Sequence, residues 1–164
     1  MAHVAGRARA AAVAGALVAT LAGGCSKKEP APETATSAEP SARPAPASEL
    51  HEPTFDLTMK SAGAITGGQP SVVEIAVLAK GGYHVNDKYP YKFKPSVTQG
   101  LTYATPTFST EATKLEEKRA TMTVTFTPDG KGERTIAGLF AFSLCSADQC
   151  LIEKRDLALH VSAD

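Results

Sequence analysis

The stretch "ATMTVTFT", residues 120–127, places Met122, Val124 and Phe126 on one side of an extended chain and four threonines on the other. Strict period two marks a half-buried strand, because successive side chains of a pleated chain point to opposite faces. The same alternation recurs in "TFDLTMK" (54–60), with Phe55, Leu57 and Met59 on one side, and in "LALHV" (157–161), with Leu157, Leu159 and Val161. "SVVEIAVLA" (71–79) is apolar nearly throughout and predicts a more deeply buried strand. Turn-forming clusters separate these runs: "AGAITGGQP", "AKGG", "VTQG" and "TPDGKGE". The stretch "STEATKLEEKR" (109–119) has one large apolar residue, Leu115, and reads as a charged loop with at most one helical turn. No internal repeat is apparent. Short punctuated strands without a long helix predict an all-β chain folded as one antiparallel β-sandwich. The 111 residues from Thr54 to Asp164 suffice for one core and not two.

The N-terminus fixes the expected compartment. Arg7 and Arg9 precede the uncharged apolar run "AAAVAGALVATLAGG", which has the length of a signal-peptide core and is short for a membrane span. It ends in "LAGGC" (21–25), small residues followed by a cysteine, which resembles the bacterial lipobox; Ala22 stands where leucine is usual. Residues 1–24 are therefore expected to be a lipoprotein signal peptide and Cys25 the lipidated first residue of the mature chain. Ser26, rather than aspartate, follows the cysteine, which favours sorting to the outer membrane over the inner. Loss of Arg7 and Arg9 leaves 15 basic against 17 acidic side chains, so nothing points to nucleic acid as a partner. Residues 25–53 hold six of the eleven prolines and one large aliphatic side chain, Leu50. Such a segment cannot bury enough apolar area to offset its ordering entropy and is expected to be a disordered tether, about 85 Å long if extended.

With Cys25 assigned to the lipid, one pair of cysteines remains, in "FSLCSADQCLIEK" (142–154). Outside the cytoplasm a disulfide between Cys145 and Cys150 would persist. Ser146–Gln149 has the length and composition of a hairpin loop, so the two cysteines are expected opposite each other on neighbouring strands. Closing so short a loop stabilises a fold by only about 2 kcal/mol. Opposed strand residues also hold their Cβ atoms about 4.5–5.5 Å apart, wider than the ~3.8 Å of a relaxed disulfide. Both considerations favour a working disulfide, with a hairpin staple as the alternative. A metal clip needs a second ligand pair, and His84, His160 and Met122 form no paired motif with the cysteines, so no metal is expected. No Ser–His–Asp pattern, phosphate loop or spaced carboxylate pair is present, and no cofactor is expected. In "GGYHVNDKYPYKFKP" (81–95), a strand would turn Tyr83 and Val85 to one face and His84 and Asn86 to the other.

The ordered pair "GGYHVN" and "FSLCSADQCLIEK", followed by "LALHV", resembles the N-terminal periplasmic domain of the DsbD thiol:disulfide interchange reductases. The resemblance spans roughly residues 54–164 and implies an immunoglobulin-like sandwich that passes electrons through Cys145 and Cys150. It places the family's active-site aromatic strand at Tyr83–Asn86, with His84 and Asn86 where the family carries tyrosines. A cap loop shielding the disulfide would correspond to about Thr105–Arg119, with Phe108 as the shielding aromatic. The cysteine spacing is shorter than in the reductases, and the acidic cap residues are unmatched at Pro106 and Thr107. The implied partners are periplasmic thiol proteins or a membrane thiol reductase, and the reductant is expected from a separate protein. His84 is expected to activate the more exposed cysteine, read as Cys145, with Asn86 donating a hydrogen bond on the same face. The rival class is a non-catalytic binding or structural lipoprotein of the envelope whose hairpin is stapled.

Overall fold

Alternation does in three dimensions what period two demands. The structure is a computed structural model that describes residues 45–164. In strand β8 (Arg119–Pro128) Ala120, Met122, Val124 and Phe126 are buried while the threonines between them face outward. Strand β2 (Phe55–Ser61) likewise buries Phe55, Leu57 and Met59. The expected signal peptide, Cys25 and most of the expected tether lie outside the described residues.

The remaining strands are β1 (Glu49–His51), β3 (Ser71–Ala79), β4 (His84–Val85), β5 (Lys92–Pro95), β6 (Leu101–Tyr103), β7 (Thr113–Leu115), β9 (Gly132–Cys145) and β10 (Cys150–Ala163). One sheet runs β1-β2-β3-β8-β6, with β7 also paired to β8; the other runs β10-β9-β4, with β5 also paired to β9. Every ladder between named strands is antiparallel. The path leaves the first sheet after β3, returns at β6 and leaves again after β8. Taking β4/β5 and β6/β7 as interrupted strands, this is the A-B-E-D and C-F-G arrangement of a constant-type immunoglobulin sandwich. Between β4 and β5 the chain turns at Asn86–Tyr89, and Pro90 has no N–H to continue a ladder.

Both inner faces meet in one core. Phe55 from the first sheet sits edge-on to Phe142 from the second, ring centroids 5.0 Å apart, and Phe142 stacks on Phe140 at 5.4 Å. Each such side chain, buried fully, contributes roughly 1.5–3 kcal/mol. The guanidinium of Arg155 lies 5.5 Å from the Phe55 centroid and is paired with Glu153 at 2.6 Å, closing the core at its β10 rim. At Gly138 the backbone of β5 comes so close that a Cβ would stand 2.5 Å from the carbonyl oxygen of Lys94 and 2.6 Å from the Phe93 ring.

Three expectations change. Strand β3 buries one face only: Val73, Ile75 and Val77 are inside while Glu74 and Leu78 face solvent, because among the described residues no element packs on the outer side of its sheet. The charged stretch has its one helical turn, a 3-10 turn at Thr110–Ala112, but runs on as strand β7 where a loop is expected, and Glu116 and Arg119 exchange backbone hydrogen bonds across a tight turn. Leu115 packs against the core. Finally, the sheet begins inside the stretch read as tether. Leu50 packs on the core, β1 pairs with β2, and Ala47 bridges to Leu157, its carbonyl accepting from Ala158 N–H at 3.2 Å. One apolar side chain plus the unpaired edge of β2 is enough to order residues that composition alone marks as unstructured.

Candidate functional site

Strands β9 and β10 pair without interruption from Gly132↔Ala163 to Cys145↔Cys150. Their loop closes by its own hydrogen bonds. Ser146 N–H donates to the Gln149 carbonyl at 2.8 Å, and Ser146 Oγ accepts from the N–H groups of Asp148 and Gln149, both at 3.3 Å. Cys145 and Cys150 are disulfide-bonded directly across this ladder, their Cα atoms 4.0 Å apart. The Ser146–Gln149 bond makes theirs the narrow, non-hydrogen-bonded position, where opposed residues ordinarily stand about 4.5 Å apart. The two strands lean together at the bond.

Register fixes which face carries the sulfurs. Phe140, Phe142 and Leu144 point into the core, so Ala141, Ser143 and Cys145 point outward. Opposite them on β10 stand Lys154, Ile152 and Cys150. On the other flank of β9, His84 of β4 pairs directly with Cys145. His84, Cys145 and Cys150 therefore form one row across three strands on one outer face. Cys145, on the central strand, is only 9% exposed, whereas Cys150, on the outermost strand, is open to solvent. This reverses the expectation that Cys145 is the accessible thiol. A residue flanked on both sides is covered by its neighbours, and one on an edge strand is not. His84 is itself exposed, and its ring makes no hydrogen bond among the described residues. Ile152, next along the face, is 64% exposed.

The other residues of this strand hold the row in place. Gly81, at φ 57°, makes the turn whose Tyr83 N–H donates to the Lys80 carbonyl at 3.1 Å. The Tyr83 hydroxyl accepts from Gln149 Nε2 at 2.9 Å, tying β4 to the cysteine loop. Asn86 sits opposite Ser143: its N–H donates to the Ser143 carbonyl at 3.1 Å and its Nδ2 to Ser143 Oγ at 3.2 Å. It holds the strand two residues from Cys145 and does not donate to a sulfur. The far edge of β4 is held by the tight turn, with Val85 N–H donating to the Glu117 carbonyl at 2.8 Å and Lys118 Nζ to the Tyr83 carbonyl at 2.5 Å. Glu117 and Lys118, exposed in this turn as a solvated loop would be, also support the site through backbone and ammonium contacts.

Phe108 is not brought to the disulfide. Its N–H and carbonyl pair with Phe93 at 2.9 Å each, and its side chain is buried in the core row with Phe93 and Phe140. The Thr105–Ser109 part of the expected cap lies along β5. Conversely, Tyr91 was not singled out from the sequence, and it matters. Fully buried, it donates its hydroxyl to the Ser143 carbonyl at 2.8 Å, and burial pushes its phenol up to about 12. Its spacing of two from the core residue Phe93 was the available signal. Among the described residues no three His, Cys, Asp or Glu side chains are gathered to hold a metal ion. No described helix is long and apolar enough to cross a membrane.

No protein-family model matches the chain, and no curated protein does. Two solved structures are similar to it. One is AggA, the major subunit of aggregative adherence fimbriae type I from Escherichia coli, at 13% identity and a TM-score of 0.35, covering 70% of this chain and all of that one. The other is a PapD-like domain of human CEP192, at 11% identity and a TM-score of 0.28, covering 66% of this chain and 87% of that one. The immunoglobulin-like assignment rests on strand order and register.

Proposed function

We propose that this chain is an envelope lipoprotein, anchored through Cys25 and facing the periplasm, whose sandwich exchanges thiols and disulfides through Cys145 and Cys150 in the manner of the DsbD N-terminal domain. The observation that carries the reading is the row His84–Cys145–Cys150, with one sulfur exposed and the other beside an imidazole. A thiolate of a partner dithiol attacks the accessible Sγ of Cys150. A mixed disulfide forms, and Cys145 leaves as a thiolate. Exchange is faster when the departing thiol has a low pKa, and a protonated imidazole opposite Cys145 favours that departing charge. The partner's second thiol then resolves the mixed disulfide. Two electrons and two protons pass to this chain, and the partner leaves oxidised. Run backwards, the same steps deliver electrons to an oxidised periplasmic protein.

The staple reading has less support, because the loop already satisfies its own backbone groups and follows a fully paired hairpin. Titration against dithiothreitol and glutathione buffers, read by thiol alkylation, separates the two. We expect reduction of the folded domain at potentials above the roughly −300 mV typical of structural disulfides. A pair that stays oxidised until the domain unfolds defeats the proposal. Anchoring is tested separately: Cys25→Ala should release the chain from the membrane fraction or block its processing.

A further inference from the structure

We propose that the exchange partner docks by adding an extended, cysteine-bearing strand to the free edge of β10 beside Cys150. This rests on the exchange reading and names the surface that serves it. Strand β10 is outermost in its sheet. Ala158 N–H donates to the Ala47 carbonyl at 3.2 Å, and Cys150 holds a non-hydrogen-bonded position toward β9, so the even-numbered residues of β10 aim their backbone groups outward. Ala47 covers this edge at Leu157. From Cys150 to Lys154 no described strand does. The N–H and C=O of Cys150 and Ile152 and the N–H of Lys154 have no backbone partner among the described residues, while the Lys154 carbonyl accepts from the Arg155 guanidinium at 3.3 Å. An open edge of this kind is a template for a further strand, whose main chain supplies affinity and whose alternate side chains supply specificity.

The place of the disulfide selects what the added strand carries. A residue paired with Cys150 from beyond β10 turns its side chain to the same outer face, its Cβ about 4.5–5.5 Å from that of Cys150. It stands on the side of Cys150 away from Cys145, extending the row His84–Cys145–Cys150 by one strand. Exchange needs the attacking sulfur in line with the bond it breaks, and this is the in-line side. The partner thiolate bonds to Cys150 Sγ, and the Cys150–Cys145 bond breaks with its electron pair on Cys145 Sγ. The partner's second thiol then closes the partner's own disulfide and frees Cys150, so both protons of the partner dithiol end on this pair. Two positions along the added strand, a side chain meets Ile152, 64% exposed, which favours an apolar or β-branched residue there.

The test uses the oxidised full chain carrying Cys25→Ala, so that the disulfide holds the only cysteines. The probe is a short synthetic peptide with a central cysteine, a threonine on each side of it and a valine beyond each threonine. Its rate of mixed-disulfide formation is followed by mass spectrometry beside that of 2-mercaptoethanol. The valines share the cysteine's phase and aim their N–H groups at β10; the threonines aim theirs away. N-methylation of the valines should slow the peptide about tenfold or more, and N-methylation of the threonines about twofold or less. Ile152→Pro removes an outward N–H without touching the β9 ladder, so it should slow the peptide similarly and leave 2-mercaptoethanol unchanged. Should that variant fail to fold, the methylated peptides decide alone on the unchanged chain. Equal slowing by the two methylation patterns overturns the inference, as does an Ile152→Pro effect shared by both thiols. A peptide advantage that vanishes as the chain sediments as a dimer assigns the edge to a second copy and overturns it too. Opening by 2-mercaptoethanol without any phase dependence leaves the exchange reading standing, whereas a folded chain whose disulfide neither thiol opens removes both.

Discussion

At one end of the β9–β10 hairpin His84 stands beside Cys145 on the outer face; at the other end, on the same face, His160 holds its Nδ1 2.9 Å from Thr135 Oγ. Around His160 the polar groups are engaged with one another. Arg134 pairs with Asp129 at 2.7 Å and donates to the Gly100 carbonyl at 3.3 Å, lining a cleft of about 500 Å³. The His84 ring itself has no partner among the described residues, and an exposed sulfur stands two strands away. One hairpin and one face thus carry a histidine that is satisfied and one that is available. A lone histidine cannot be assigned to either kind from sequence. Strand pairing decides it, because register sets what lies opposite.

The largest effect should come from removing what both ends stand on. Phe142 packs between Phe55 and Phe140 beneath the outer face. Phe142→Ala should cost about 3–5 kcal/mol by urea unfolding and loosen both ends together. If only the disulfide end responds, the hairpin is not one cooperative unit. Next, the double change Cys145→Ser and Cys150→Ser should lower stability by about 2 kcal/mol while the fold is kept, as measured by circular dichroism and urea midpoint. Collapse of the domain would make the pair a staple after all, and the contrast between the two ends would lose its functional meaning.

A smaller effect is expected beneath Ser143. Its carbonyl accepts from both the Tyr91 hydroxyl and the Asn86 N–H, so Tyr91→Phe removes one of two donors and should cost about 1 kcal/mol. The pH dependence is distinctive. Burial raises the folded-state phenol to about 12, above the ordinary value near 10. The neutral phenol therefore contributes fully below pH ~10, and its contribution is lost as pH rises through the folded value. Alkaline unfolding should be shallower in Tyr91→Phe than in the wild type, and coincident alkaline curves would contradict the assigned hydrogen bond.

Much of the sandwich was legible in the sequence because period two survives into burial: Met122, Val124 and Phe126, or Leu157 and Val161, lie inside as the alternation demands. The hairpin and its cysteine pair were legible for the same reason, since loop length sets which residues oppose. What was not legible depends on pairings distant in sequence. Strand β4 has only two residues, and its match of His84 to Cys145 joins positions 61 apart. β1 orders on one leucine and a free sheet edge, neither of which composition registers. Phe108's place over the disulfide and Cys145's greater exposure were misjudged, because an aromatic near a site and a cysteine at a strand end each have two faces available. Backbone pairing with Phe93 turned one inward, and the central position of β9 covered the other.

The smallest expected effect is the sharpest test of the contrast between the two histidines. Neither His84→Ala nor His160→Ala should change stability by more than a few tenths of a kcal/mol, since both rings are exposed. They should differ in chemistry. Thiolate is the reacting form, and a neighbouring cation lowers a thiol's pKa from its ordinary ~8.5, which is the role proposed for the imidazole opposite Cys145. In reduced protein, His84→Ala should raise the apparent thiol pKa by a substantial fraction of a unit, read from iodoacetamide alkylation across pH. The slowing should be confined to one of the two thiols, because His84 lies opposite Cys145 and not Cys150. Mass spectrometry of the singly alkylated product identifies which. His160→Ala should leave both profiles where they are, because its ring lies at the opposite end of the hairpin, across from Thr135. If the two substitutions give superimposable profiles, the proximity seen in the register has no chemical consequence and His84 drops out of the mechanism. If His84→Ala instead slows Cys150 alone, the imidazole acts on the exposed sulfur, and the order of attack and departure proposed for the pair must be reversed.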